Sequence, residues 1–570
     1  MRIIFPLFVK QVSLRPVFLF SIIFLVSPVL SYAQEYYVAS DGNNSHAGTI
    51  NAPWGTIQYA ADNALPGSTV YVRGGTYSEM VKVNVSGSEN NGYITFKNYN
   101  NELPIIDGSD LTPSGDTGIF CIEDESYIII DGFEMRNLKT DSKNTVPAGV
   151  WVFGASHHIH LLNNKIHDIG TSVKGGNAHG IALYGTSSPA SINNILIQGN
   201  ELYNLQLGWS ESMVLNGNVE DFLITENIVR DNDNIGIDLI GFEGTCNDPA
   251  YDQARNGEVI KNLIYNCSSK SNISYGEYSA GGIYVDGGRD NLIERNTVYS
   301  CDIGIELASE HAGTATSSII VRNNLLFDNW MCGVAMGGYS NQRGSTEDCI
   351  VVNNTLFQND TLKDGNGELY VQYDTRRNTI MNNIIYSGDQ GLMISNSYEE
   401  NTDNIVDYNL YFSTVAENEC VWQWMKTNHT GFSGYQTGTG NDSNSIFQDP
   451  GFVNTGTDDF HLLETSAAVN SGDNIAVAGS LDIDGQPRIQ DSIMDIGCDE
   501  YPAGGVEIIP GDVNGSGSLD LADVVICLQI SAAISPDINV QVDADVNEDD
   551  KINIIDSVYI LRELAGRSLI

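Results

Sequence analysis

The feature that most limits how this chain can fold is a short strand, built around an asparagine, that keeps returning. It reads LLNNKIH at Asn164, IQGNELY at Asn200, ITENIVR at Asn227, IKNLIY at Asn262 and IERNTVY at Asn296. It continues as VRNNLLF at Asn324, VVNNTLF at Asn354, IMNNIIY at Asn383 and VDYNLYF at Asn409. The interval is roughly 30 residues, and it drifts because insertions in a stacked repeat fall in its flanking loops. Strands of a second kind alternate with it, one ahead of Asn164 and one in each of the six intervals that follow: GVWVFG at Val150, GIALYG at Ile181, SMVLNG at Met213, GIDLIG at Ile237, GIYVDG at Ile283, GIELAS at Ile305 and GVAMGG at Val334. Its apolar residues alternate with period two, so one face is core. Alike strands that return this way stack coil on coil, which predicts an all-β solenoid, a parallel β-helix, with at least two strands per repeat. Asparagines at equivalent turns would then bond along the axis as a side-chain ladder. A propeller needs four-stranded blades of ~40–50 residues, longer than most of these intervals.

Charge narrows the partners. Lys and Arg number 27 against 73 Asp and Glu, a net charge of -46, so nucleic acid is not an expected partner, since phosphate binding needs a basic face. An anionic polysaccharide would be repelled unless calcium bridged it; solubility or a saline habitat explains the acidity equally well. At the N-terminus, Lys10 and Arg15, the apolar run Val17 to Leu30 and the small residues of Ser31-Tyr32-Ala33 predict a signal peptide over 1–33, cleaved after Ala33, and a secreted product. The run is short for a membrane span and no later stretch would stop transfer; a retained anchor is the alternative. Nine cysteines are scattered without a CxxC or metal-ligand spacing. Cys246 and Cys267 flank one strand region and are candidates to pair.

Thr56 to Ala64 has the pattern of a short amphipathic helix closed by Leu65-Pro66-Gly67, a cap for the first coil. With YYVASDG, PWGTIQYAADNALPGSTVYVRGGTY and the asparagine strands, residues 35 to 501 resemble right-handed parallel β-helix proteins of the polysaccharide-lyase and glycosidase kind. LDIDGQPRIQDSIMDIGCDEY at 481–501 is similar to the closing segment of such proteins. The resemblance implies the fold and a polysaccharide partner, while the architecture itself hosts lyases, hydrolases, epimerases and binding proteins. The expected organisation is a cap with first coils over 34–110, the β-helix over 111–503, a linker over 504–510 and a separate module over 511–570.

That module carries the most specific motif. Asp512, Asn514, Ser516, Asp520 and Asp523 stand at positions 1, 3, 5, 9 and 12 of a twelve-residue loop, with the Ser518 carbonyl at position 7. A second loop repeats the set with Asp545, Asn547, Asp549, Asn553 and Asp556, and the Lys551 carbonyl. Several hard oxygen ligands around a flexible turn are what calcium requires, so two Ca2+ sites are expected. Each loop runs into a helical pattern, ADVVICLQIS or IDSVYILRELAG. Duplicated loops of this kind, ending in Asp, resemble a dockerin, which implies a cohesin-type scaffold protein as partner. The second loop has Asp550 where the turn favours glycine, and positions 10 and 11 are the apolar pairs Leu521-Ala522 and Ile554-Ile555. A calcium-stabilised cap without a partner is the alternative.

Aligning the second strands predicts two outward columns: Trp151, Ala182, Val214, Asp238, Tyr284, Glu306, Ala335, and Phe153, Tyr184, Asn216, Ile240, Asp286, Ala308, Gly337. Asp238, Asp286 and Glu306 fall on three consecutive coils as candidate catalytic residues, with Asp286 as acid and Asp238 or Glu306 as base. Trp151, Tyr184 and Tyr284 are candidate sugar platforms, and His179 and Glu211 frame the same face. Three readings follow. A glycoside hydrolase would use the carboxylates as acid and base. A lyase would use them to hold a further Ca2+ in the groove, with Arg289 or His179 as base. A non-catalytic adhesin would bind glycan only. The scarcity of Lys and Arg favours hydrolysis of a neutral or weakly acidic glycan.

Overall fold

Each coil of the chain gives one strand to each of three 13-stranded sheets. The computed structural model describes residues 34–490, 492–502, 509–514, 519–532, 534, 536, 540–541, 544–547 and 551–567. The predicted export segment 1–33, most of the predicted linker, and Ser516, Ser518 and Asp549 lie outside the described residues. Sheet one runs from Glu35–Val38 to Ile405–Asp407, sheet two from Gly75–Tyr77 to Ile446–Phe447, and sheet three from Val81–Val83 to Thr427–Thr430. Pairing is parallel until the last hairpin of sheet three, Val421–Trp424 with Thr427–Thr430.

The asparagine strand of the sequence is two strands meeting at a corner. Sheet one ends, one residue turns left-handed, the asparagine follows, and sheet two begins, as in His157–Leu162, Asn163, Asn164 and Lys165–His167. The corner residue has φ between 52° and 67° at Asn163, Gly199, Glu226, Lys261, Arg295, Asn323, Asn353, Asn382 and Tyr408. Gly199 adopts this freely and Asn163, Asn323, Asn353 and Asn382 readily, while Glu226, Lys261, Arg295 and Tyr408 each bear a cost of about 1–2 kcal/mol. The ladder offsets it. Asn164 N–H and Nδ2 both donate to Asn200 Oδ1 at 3.0 Å, and Asn200 repeats this onto Asn227 at 2.9 Å. The relay continues through Asn262, Asn296, Asn324, Asn354 and Asn383 to Asn409. Its steps range from 26 to 36 residues while the geometry stays fixed. Buried amide groups are thereby satisfied within the wall of the solenoid.

The core is the column of inward Val, Ile, Leu and Phe from all three sheets. Its N-terminal end is closed by helix α1 (Ile57–Asn63), as the sequence predicts. Thr56 caps it by accepting from Tyr59 N–H, and the Glu79 carboxylate takes the N–H groups of Ile57 and Gln58. The other end is covered by α2 (Phe432–Thr439), whose Tyr435 stacks on Trp422 at 5.5 Å. Residues 446–501 then run back along the outside. There the corner residues Asn323, Asn353 and Asn382 donate to the carbonyls of Ala478, Asp495 and Asp473.

All nine cysteines are free thiols, so Cys246 and Cys267 do not pair; Cys267 lies against Cys301 of the next coil. No helix among the described residues is long and apolar enough to cross a membrane.

Candidate functional site: a buried carboxylate column on sheet three

Sheet three carries the second strands, and their pairing places the first predicted column in register: Trp151 opposite Ala182, then Val214, Asp238, Tyr284, Glu306 and Ala335. Inward neighbours such as Ile237, Leu239, Ile283, Val285, Ile305 and Leu307 belong to the core, which fixes what faces outward. In the second column, Phe153 pairs with Tyr184, Tyr184 with Asn216, Asn216 with Ile240, and Asp286 with Ala308.

Outward here does not mean exposed. Asp238, Asp286 and Glu306 are 2 %, 4 % and 7 % exposed, because loops fold over the face. Burial first, then the charges of Glu211, Asp286, Glu243 and Glu310, hold the Asp238 carboxyl well above the usual range. Asp238 Oδ1 is buried without a hydrogen-bond partner. Asp286 is also pushed up by burial, but its Oδ1 accepts the Glu310 N–H at 2.7 Å, which favours the anion. Burial and Glu310 raise Glu306 to about 8. Glu211 is buried beside His179, whose Nδ1 donates to the Glu211 carbonyl at 3.1 Å; burial lowers His179 to about 4, so it is neutral at pH 7.

Upstream, Trp151 stacks between Phe153 (5.0 Å) and Tyr184 (5.4 Å), with His179 edge-on at 5.4 Å. A depression of about 410 Å³, bounded by Lys82, Asp116, Glu123 and Phe153, opens at this end rather than over the carboxylates. Arg289 does not join the group: it sits in a bridge with Arg255 and Ser317 and pairs with Asp290 at 2.5 Å. Glu243 and Glu310 escaped the sequence reading because they lie in loops, outside any repeat. Glu243 accepts from Asn216 Nδ2 at 3.1 Å.

A calcium ion in this groove would need converging donors. Among the described residues, three His, Cys, Asp or Glu ligand atoms come within 4.8 Å of one another at His461, Asp484 and Asp499, and not among the groove carboxylates. The groove thus offers no such trio of side-chain ligand atoms among the described residues.

The C-terminal loops are built differently. Asp523 is fully buried and its two oxygens take the N–H groups of Asn514 (3.1 Å) and Asp520 (2.9 Å). Asp556 does the same with Val546 (3.0 Å) and Asn553 (2.6 Å), while Asp545 accepts from Asn547 and Lys551. Among the described residues of these loops Asp512, Asp523 and Asp556 are buried, and the donors there are all oxygen, which fits calcium. Helices α3 (Leu521–Ser531) and α4 (Ile554–Arg567) follow the loops. Leu521, Val525 and Leu528 on α3, and Ile554, Val558 and Leu561 at the equivalent places on α4, are exposed.

Three parallel sheets wound coil on coil, with an acid-lined face, define a parallel β-helix protein. Two family models agree: "Pel9A-like, right handed beta helix region" matches residues 36–196 and "Right handed beta helix region" matches 148–356. The chain belongs to the same family as the uncharacterized protein YwoF of Bacillus subtilis (strain 168), to which it is 42% identical over 434 residues, 76% of this chain and 91% of that one. Pectate lyase PEL9 of Emericella nidulans is 33% identical over 166 residues, covering 27% of this chain and 38% of the relative. Among solved structures, pectate lyase Pel9A matches with TM-score 0.43 and 15% identity over 83% of this chain and 97% of its own. The GH136 lacto-N-biosidase of Eubacterium ramulus matches with TM-score 0.43 and 14% identity over 67% and 64%.

Proposed function

We propose that the protein is an extracellular enzyme that hydrolyses O-glycosyl bonds of a polysaccharide on sheet three. The observation that carries this reading is the group of buried carboxyls on neighbouring coils of one face, each raised above the usual range by burial. A buried protonated acid beside a carboxylate is what glycosidic cleavage requires. Asp286 lies one coil and two residues from Asp238, a diagonal of roughly 8 Å from the strand spacing and rise. That is a backbone spacing, from which the two carboxyls can reach the ~6.5–9.5 Å separation that leaves room for a water in an inverting reaction. Asp238, with more acidic neighbours and an orphan oxygen, gives its proton to the leaving glycosidic oxygen. Asp286, whose anion is favoured by the Glu310 N–H, takes the proton of the water that attacks the anomeric carbon. These roles reverse the sequence expectation. Glu306 and Glu211, both raised by burial, add acidic neighbours to the pair, and His179, neutral, is held to Glu211 through its carbonyl.

The similarity to named carbohydrate-active proteins supports the substrate class. A lyase acting on a uronate glycan is the second reading, favoured by the pectate lyase relative. We further propose that the C-terminal module binds two calcium ions through its loops and docks onto a cohesin-type protein, with the paired apolar stripes of α3 and α4 as the contact surface. When bound, calcium supplies the positive charge that holds the loops closed.

Incubating the protein with arabinoxylan, arabinan, galactan and low-ester pectin, while following reducing ends and ultraviolet absorbance, tests the reaction. Hydrolysis gives reducing ends alone. Reducing ends with rising absorbance would replace hydrolysis by β-elimination, and glycan binding without either signal would leave an adhesin.

A further inference from the structure

We propose that Trp209 and Tyr275 form a sugar-ring subsite on the wall of the carboxylate face, next to Asp238; this rests on the polysaccharide reading above. Trp209 is 45 % exposed and Tyr275 38 %, and their rings meet edge to face at 4.5 Å. Large aromatics left open to water are normally mobile or sparse; this pair is neither.

The loop that carries Tyr275 is pinned at its base and its tip. Asp302, fully buried, accepts from Ser269 N–H (2.9 Å), Ser279 N–H (2.8 Å) and Ala280 N–H (2.9 Å) through one oxygen. At the tip, Asn272 Nδ2 donates to the carbonyls of Gly208 (2.8 Å) and Asp233 (2.9 Å), and Ser274 Oγ accepts from Gly175 N–H (2.9 Å). These partners belong to earlier coils, so the loop leans back along the axis and lies against Trp209. Gly175 makes the approach possible: its φ is +75°, and a Cβ there would stand 3.2 Å from Trp209 Nε1. The aromatic pair is therefore held in place before any ligand arrives, and little ordering entropy is lost on binding.

Its position selects the occupant. Tyr275 reaches inward, where Asn234 hydrogen-bonds its hydroxyl and the charges of Glu211, Glu310 and Asp238 act on it. Trp209 stands two residues before Glu211 and faces solvent. A ligand on the pair thus has one side on apolar ring and the other towards carboxylates. A pyranose has that character: C–H groups on a face and hydroxyl donors around its rim. The Lys143 ammonium also stands here, 3.4 Å from where a Cβ on Gly175 would lie, so a sugar ring of the glycan chain, neutral or acidic, is assigned to the pair. Successive coils rise about 4.8 Å, so a chain laid along the axis passes from Trp209 to the Asp238 coil within about one sugar residue.

The test uses the full chain, native gels containing arabinoxylan, arabinan, galactan or low-ester pectin, and initial rates of reducing-end release on the same four polymers. Trp209→Ala is expected to weaken retardation and lower kcat/KM about tenfold, mostly through KM, a loss of the size of one aromatic contact. Tyr275→Phe keeps the ring and is expected to keep most of the retardation. Retardation and KM equal to wild type in Trp209→Ala would overturn the subsite and leave the hydrolase reading standing. A loss confined to kcat would also overturn it, by making the residue structural. A wild-type protein neither retarded nor active on any of the four would overturn the subsite together with the reading it rests on.

Discussion

Asp238 and Asp286 are the same side chain in nearly the same burial, and in the proposed mechanism a single backbone N–H separates their roles. If the assignment holds, Asp238→Asn and Asp286→Asn each lower kcat by at least about 10²–10⁴-fold, with melting temperature unchanged or raised. Glu306 makes the point for stability. Its carboxyl titrates from 4.5 unfolded to about 8 folded, so between those values the fold holds a proton that the open chain does not. Its favourable contribution is complete below 4.5, declines as pH rises, and is gone above 8. Glu306→Gln should therefore melt at least about 2 °C above wild type at pH 8 and close to it at pH 4. Calorimetry at the two pH values checks this, and equal melting at pH 8 would contradict it.

At the scale of the element, the corner of each coil is the unit of construction. Asn296 shows its connections: Oδ1 accepts from Asn262 N–H and Nδ2, and Nδ2 donates to Val259 carbonyl and Asn324 Oδ1. Asn296→Ala strands several buried partners and should cost about 3 kcal/mol in urea unfolding with an unchanged slope. All nine ladder asparagines were legible in the sequence, because a side chain that must bond its own copy in the next coil cannot drift. The strands of sheet two were not. They are three residues long, such as Lys165–His167, and the turn before them is hidden because Lys261, Arg295 and Tyr408 take a left-handed conformation that composition does not announce. The columns of sheet three were legible through period-two alternation, whereas Glu243, Glu310 and the Trp209–Tyr275 contact depend on loops from different coils, and no local pattern encodes that.

For the whole molecule, the six tryptophans lie between Trp54 and Trp424, all in the solenoid, whereas α3 and α4 supply much of the helix. The two parts can thus be followed by separate signals. A calcium chelator is expected to reduce helical far-ultraviolet dichroism while tryptophan emission stays constant, and calcium should restore it. Loss of both signals together would mean that the module and the solenoid unfold as one. The net charge of -46 adds a general repulsion that divalent ions and salt relieve, so sodium chloride at equal ionic strength is the control.

The ladder is directional: every asparagine is received by the coil after it, and the last, Asn409, donates its backbone N–H to the Ser445 hydroxyl oxygen at 2.7 Å. Under tension applied to its two ends, such a wall has no single weak seam; it would come apart from an edge, one rung at a time, each release letting out a loop of similar length. With about 30 residues per coil, a force–extension trace should show a series of small drops about 100 Å apart, until the returning segment over Asn323, Asn353 and Asn382 is reached and several rungs hold together as a clasp.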